Sequence, residues 1–410
     1  MNSTIEPNLQ GYEYGRSLPG AYYSDQEIFT RDLRALGGTQ WLLVDHVSRI
    51  PRAGDYFLFS MGSESLIVVR DRAGDIHALY NVCRHRGSRI CLEDTGHVAA
   101  LVCPYHAWSY SLDGHLRGAA AMRPDFDKSR YGLRRAHVRL ESGFIFLNLA
   151  TGTPPDFDAF AGRLRPYLAP HRFESAKVAH RAVYPTAANW KLIVENFLEC
   201  YHCKPAHPTY CSVHNADKIL AFGAGPGSAS PELAVKFGAK LEAWENMAKS
   251  KGFTTGMFAD GFDSVSYQSV SRVPVGDGYL TESLGGTPVA PLMVSYGEYD
   301  YAQTAVTFNP LGHVIASSDH AVAFRFTPRG PSNTDVEALW LVNHDALEGR
   351  DYDLRTLTQV WDITLREDKV ITENNQAGIL SSQYSPGPHS EHETRISDFV
   401  AWYVHGIINL

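Results

Sequence analysis

No run of about 18 apolar residues, the length a helix needs to cross a bilayer, occurs in the 410-residue chain. The opening stretch, MNSTIEPNLQGYEYGRSLPG, has no basic region followed by an apolar core, so neither a membrane span nor a secretory leader is expected. Surplus positive charge is missing too: 37 Lys and Arg face 45 Asp and Glu, a net charge of -8. Without a basic stripe to neutralise phosphates, general nucleic-acid binding is not expected. Cysteine is scarce. Six in so long a chain do not make a disulfide framework, and Cys91, Cys200, Cys203 and Cys211 read as buried reduced thiols. Internal repeats and low-complexity tracts are lacking, and no G-x-G-x-x-G fingerprint opens a helix to hold a dinucleotide. What remains is the expectation of a soluble cytoplasmic protein with room for two or three domains.

Two short segments carry the most chemistry: Cys83-Arg84-His85 and Cys103-Pro104-Tyr105-His106. Each offers one thiolate and one imidazole within four positions. In a Rieske 2Fe-2S cluster two Cys hold one iron and two His the other, and this pattern of two mixed arms fits that arrangement. Zinc takes the same donor types, but its usual spacing pairs Cys with Cys and His with His. Two coincidental Cys/His pairs are the third reading.

Around these arms the pattern has period two. Between 55 and 149 the short apolar runs DYFLF, LIVVR, IHALYNV, VAALVC, AWSYSL and GFIFLNL are separated by MGSE, DRAGD and LDG, which supply the Gly and Asp of hairpin turns. This predicts a small all-β domain with both arms at strand ends or in loops. A helix is expected over 25–37, and TGTPPDFD at 151–158 reads as a linker. Beyond it, helices are expected at 188–203, 231–250, 353–378 and 391–405. Strands are expected near 264–272, 303–308, 312–318, 321–327 and 336–343. Antiparallel strands with long helices on one face make an α+β architecture. The Gly-rich 222–230 lacks the strand and helix of a phosphate loop and is expected to be a mobile loop.

A second donor group lies in Asn189–Pro208, NWKLIVENFLECYHCKPAHP. His202 and His207 would be about 140° apart on a continuous helix, but Pro205 between them should break it and let the second imidazole meet the first. Two imidazoles and a carboxylate on one face are the ligand set of non-haem Fe(II) oxygenases, which keeps positions open for O2 and substrate. Ordinary core or surface histidines are the rival reading.

C-x-H and C-x2-H arms followed by ENF-x-E-x-YH-x4-HP resemble the α subunits of Rieske non-haem iron oxygenases, over nearly the whole chain. The resemblance implies that Cys83, His85, Cys103 and His106 hold the 2Fe-2S cluster and that His202 and His207 hold a mononuclear Fe(II). It nominates Asp368, on a late acidic segment running to Gln376, as the third iron ligand, with Glu367 as fallback and a solvated charged helix face as the plain alternative. Glu199 falls where the family places the carboxylate linking a cluster His of one subunit to an iron His of the next. Ring-dihydroxylating members carry Asp there at a longer spacing from ENF. Glu at this spacing matches the branch of homotrimeric oxygenases acting on quaternary ammonium compounds such as glycine betaine, carnitine, choline and proline betaine.

The implied architecture is a Rieske domain at 41–152, a helix-grip (START-like) catalytic domain at 153–410, and an N-terminal segment, 1–40, packed on the latter. The implied assembly is a head-to-tail homotrimer, and the implied partner is a separate NAD(P)H-dependent flavin and iron-sulfur reductase. The expected reaction is O2-dependent hydroxylation of an N-methyl carbon, ending in demethylation. Alternatives are hydroxylation or dihydroxylation of an aromatic ring compound, and a Rieske electron-transfer protein with a ligand-binding domain. A methylammonium site needs aromatic faces; Tyr210, Phe258, Tyr301, Trp402 and Tyr403 are the pocket-wall candidates, with core packing as the plainer reading for each.

Overall fold

The structure, a computed structural model, describes residues 12–214 and 231–408. It divides into two compact units, one of residues up to Leu36 joined with Asp158 onward, the other Gly37–Phe157. The Gly-rich stretch 222–230 lies outside the described residues. Among those described, no helix is long and apolar enough to cross a membrane.

The Gly37–Phe157 unit is built on a seven-stranded antiparallel sheet. Leu42–His46 forms one edge, followed by Phe144–Asn148, Arg135–Glu141, Ile76–Tyr80, Glu64–Arg70, Asp55–Met61 and Thr95–His97. The strand Glu64–Arg70 is buried from Ser65 to Val69, as its unbroken apolar run LIVV requires. The turn after it works as its composition suggests: Asp71 Oδ1 accepts the N–H groups of Ala73 and Asp75, and Gly74 takes a left-handed φ of 97° open to glycine at little cost. A separate three-stranded sheet, Leu101–Val102, Ser109–Tyr110 and Leu116–Gly118, carries the second Cys/His arm at its edge.

The other unit holds a second seven-stranded antiparallel sheet, in the order Ala176–Thr186, Asn333–Asn343, His320–Gly330, Gly312–Ala316, Ala302–Asn309, Ser269–Pro274 and Gly256–Ala259. The 26-residue helix Leu354–Ile379 packs on it, its N-terminus capped by the Asp353 side chain accepting from Thr356 N–H. Helices at Pro231–Ser250 and Thr394–Trp402 match the expected positions closely.

The expected helix over 188–203 is corrected. It runs only from Trp190 to Phe197, because the chain turns at Leu198 and the Glu199 carboxylate then takes the backbone N–H groups of Tyr201 and His202. Pro205 does not break a helix; it sits in the first turn of a new four-residue one, Cys203–Ala206, where its missing N–H costs nothing.

Four contacts fix the helix Trp190–Phe197. Asn189 caps it, accepting from Lys191 N–H, and the Asn189 N–H donates to Gln376 Oε1 of the long helix at 2.8 Å. Lys191, fully buried, reaches the equally buried Asp32, which also takes the Tyr403 hydroxyl and the Trp190 indole N–H.

Candidate metal centres

The two Cys/His arms fold as matching turns. Gly87 N–H returns to Cys83 O at 3.0 Å, and Ala107 N–H returns to Cys103 O at 3.0 Å. The closing residues are left-handed in both, Gly87 at φ 81° and Ala107 at φ 55°. A non-glycine residue in that conformation costs on the order of 1 kcal/mol or more, so the second turn is held against a local penalty. Backbone bonds from Cys83 N–H to Ser88 O and from Cys103 N–H to Trp108 O complete the match.

The donors are sorted by depth. Cys83 and Cys103 are buried in an apolar cluster with Leu101, Trp108, Tyr110 and Ile90, whereas His85 and His106 are exposed. Their rings lie 4.6 Å apart, and His85 stacks on Trp108 at 4.8 Å. Burial pushes the Cys83 thiol up despite the Tyr110 hydroxyl at 3.3 Å. A single tetrahedral ion would need donor atoms within about 4 Å of one another. Among the described residues the only set of three or more His, Cys, Asp or Glu donors within 4.8 Å is a different one. Two inner thiols and two outer imidazoles match the donor split of a two-iron cluster, one iron on each donor type.

That other set is His202, His207 and Asp368. His207 Nε2 lies 3.0 Å and His202 Nε2 3.5 Å from Asp368 Oδ1, with the two rings nearly perpendicular at 84°. Behind each ring stands a second carboxylate: Glu199 Oε1 at 2.5 Å from His202 Nδ1, and Glu367 Oε2 at 2.8 Å from His207 Nδ1. Burial pulls the His202 imidazole down, but Asp368 and Glu199 outweigh it and hold it up at about 9. His207 is raised likewise, Asp368 and Glu367 overcoming burial. Asp368 is held low because its two imidazole contacts outweigh burial. Three carboxylates around two imidazoles call for positive charge, and the converging Nε2 and Oδ1 atoms fit a divalent iron with positions left open.

The Asn196 side chain also reaches this site, its Nδ2 lying 3.3 Å from His202 Nε2. Nothing in the spacing alone marked it, although it stands in the ENF run. A cavity lined in part by Asn196, Phe197, Leu365, Asp368 and Thr372 borders the triad. Of the aromatic candidates, Tyr210 comes near: its ring lies 6.3 Å from that of His207 and 5.6 Å from that of Trp361. Trp402 and Tyr403 are core residues, packed with Phe399 and Trp190. Phe258 faces Tyr167 and Arg163, and Tyr301 is exposed.

The expectation of buried reduced thiols holds for Cys91, while Cys211 is free but only half-buried. Cys200 and Cys203 are joined as a disulfide. The turn after Phe197 brings their Cα atoms to 4.8 Å, within bridging range.

Comparison with known proteins places both halves. Residues 40–138 match the Rieske [2Fe-2S] domain family, and residues 173–407 match the ring hydroxylating alpha subunit (catalytic domain) family. The oxygenase subunit of glycine betaine monooxygenase from Pseudomonas aeruginosa is 35% identical over 98% of this chain and 91% of its own. Its counterpart from Chromohalobacter salexigens is 38% identical over 94% and 85%. Among solved structures, a quaternary ammonium Rieske monooxygenase with its substrate L-carnitine is similar with a TM-score of 0.67, over 95% of both chains at 22% identity. Naphthalene 1,2-dioxygenase from Rhodococcus sp. gives 0.64 over 95% and 94% at 20%. At such identities the structural likeness speaks for the fold alone.

The cofactors of such chains are a Rieske 2Fe-2S cluster and a mononuclear iron. With matching domains in both halves and near full-length relatives, this chain belongs to the Rieske non-haem iron oxygenases, as a ring-hydroxylating-type α subunit.

Proposed function

We propose that the chain is the oxygenase component that removes an N-methyl group from a small quaternary ammonium compound of the betaine type. The observation that carries this reading is the three-donor face of His202, His207 and Asp368 in a chain whose near full-length relatives are named glycine betaine monooxygenases. In this reading Cys83 and Cys103 hold the inner iron of the cluster and His85 and His106 the outer one. His202, His207 and Asp368 hold the mononuclear iron. The Rieske domain is 41–152, the catalytic domain 153–410, and residues 1–40 belong with the latter, in keeping with the grouping of the first helix with the C-terminal unit.

Bound iron supplies the oxygen-activating chemistry: N-methyl, O2, two electrons and two protons become N-hydroxymethyl and water, and the carbinolamine collapses to the demethylated amine and formaldehyde. The chain's residues prepare for it. The Nδ1–H of His202 donates to Glu199, which leaves Nε2, on the side of Asp368, as the nitrogen that would hold the iron. Glu199 already accepts His202 Nδ1–H and two backbone N–H groups, and a carboxylate has about four acceptor positions. It can therefore take one more imidazole N–H, that of a cluster histidine from a neighbouring copy, which is the arrangement of a head-to-tail homotrimer. Tyr210, with its ring 6.3 Å from that of His207, is the aromatic candidate that would meet a cation unable to hydrogen-bond. Electrons come from a separate NAD(P)H-dependent flavin and iron-sulfur reductase, since no dinucleotide fingerprint is present in this chain, and the setting is the cytoplasm.

A screen of methylated ammonium compounds against benzoate-like acids, with reductase and NADH supplied and formaldehyde as readout, tests the substrate class. Formaldehyde released with a quaternary betaine supports the reading. Arene diol or phenol formation, with no response to any quaternary ammonium compound, moves the chain to ring hydroxylation.

A further inference from the structure

The geometry points to Glu367 as a positioning residue for the mononuclear iron, an outer carboxylate that fixes the ring orientation and tautomer of His207. This rests on the reading of His202, His207 and Asp368 as the iron-holding set. Glu367 and Asp368 are neighbours in the helix Leu354–Ile379, where successive side chains diverge by about 100°. That divergence lets one turn of helix grip both edges of a single imidazole. Glu367 Oε2 lies 2.8 Å from His207 Nδ1, and Asp368 Oδ1 lies 3.0 Å from His207 Nε2. The two carboxylates therefore have different jobs.

A neutral imidazole carries one N–H and one lone pair. With Glu367 accepting at Nδ1, the N–H is held there and Nε2 is left as the lone-pair edge, on the side where His202 Nε2 and Asp368 Oδ1 converge. The other tautomer would point a lone pair at Glu367 and an N–H at the metal position. His207 is 1% exposed, so water cannot take over the task of holding Nδ1. Glu367 is 30% exposed, and among the described residues its one ion-pair partner is His207, with no Lys or Arg competing for it. Glu199 stands in the equivalent place behind His202. Each ring thus has a carboxylate on Nδ1 while Nε2 faces Asp368, the carboxylate–histidine–metal arrangement that tunes ligand basicity. Glu367, the fallback for the third ligand, is on the far side of the ring from the converging atoms.

The test is iron retention in the full-length protein carrying its cluster. Ferrous iron is withdrawn anaerobically by a chelator, the visible absorption of the cluster serves as the folding control, and the electron paramagnetic resonance of the nitric oxide adduct reports the ligand geometry. Glu367→Ala should weaken iron binding by about tenfold to a hundredfold and broaden or shift the nitrosyl signal, with cluster absorption unchanged. Glu367→Gln, whose amide oxygen can still accept from Nδ1–H, should lie between Glu367→Ala and wild type. An alanine variant that holds iron as tightly as wild type, with an unaltered nitrosyl signal, would make Glu367 a surface acid and overturn the assignment. Asp368→Ala is the control on the underlying reading. If it keeps its iron while Glu367→Ala loses all of it, Glu367 is itself the ligand; if both keep it, the iron set has been misread.

Discussion

His207 Nε2 and Asp368 Oδ1 lie 3.0 Å apart although 161 positions separate them in the chain. The contact joins the short segment after the helix Trp190–Phe197 to the middle of the long helix Leu354–Ile379, and with His202 it gathers one carboxylate and two imidazole donors. Asp368→Asn keeps the shape and removes the charge. It should lose most of the mononuclear iron while retaining the cluster absorption, measured as iron and acid-labile sulfide per chain. Iron at the wild-type level would remove Asp368 from the site.

The cluster has a separate signature. Cys103→Ser should bleach the visible spectrum, and because cluster binding is coupled to folding, it should lower the unfolding temperature of the Gly37–Phe157 unit. One zinc per chain and no labile sulfide in the wild-type protein would contradict the two-iron reading of the inner thiols and outer imidazoles.

Glu199→Gln should keep both metal centres yet lose at least about a hundredfold in reductase-coupled turnover, an outer-carboxylate effect at the upper end of those seen at metal sites. A carboxamide has one acceptor oxygen where the carboxylate has two, so it cannot serve His202, two backbone N–H groups and a neighbour's imidazole together. Turnover near that of wild type would make Glu199 a residue that shapes the turn and nothing more.

Glu195, buried beneath the Tyr23 hydroxyl at 2.9 Å, supplies a pH dependence unrelated to metal. Burial outweighs the Tyr23 hydrogen bond and the Lys191 charge and pushes its pKa up to about 8 from 4.5. The folded state therefore binds a proton between those values that the unfolded state has lost. The associated stability is complete below pH 4.5 and disappears as pH rises through 8. Glu195→Gln should gain on wild type by a few kcal/mol, at about 1.4 kcal/mol per pKa unit, as pH rises across that window. Parallel stability curves for the two proteins would show that Glu195 is ionised in the fold.

Much of this was legible in the sequence because the informative donors are local. Each cluster arm places Cys and His within four positions, so residue chemistry alone suggests the cluster, whereas His202 and His207, five apart, point to a second metal only beside it. The period-two runs between 55 and 149 likewise announce the small β domain. Asp368 was reachable only through family resemblance, since nothing local distinguishes it from the acidic residues around it. The end of the helix at Phe197 is not legible in the sequence because it depends on Glu199 turning back onto its own backbone. The strand Ala176–Thr186 has no clear sequence signal either: most of its residues are only half-buried, so it shows no clean alternation of apolar and polar positions. The division of labour between Glu367 and Asp368 needed the placement of both beside one imidazole.

A single-turnover experiment without reductase tests the central claim most directly. Purified protein with its cluster chemically reduced and its mononuclear site filled with ferrous iron is mixed with glycine betaine and O2, and formaldehyde is quantified against chains. The account predicts formaldehyde and the demethylated amine at up to one per iron-loaded site, with none from His202→Ala. Oxidation of the cluster by O2 with no formaldehyde from glycine betaine or any other quaternary methylammonium compound would contradict it.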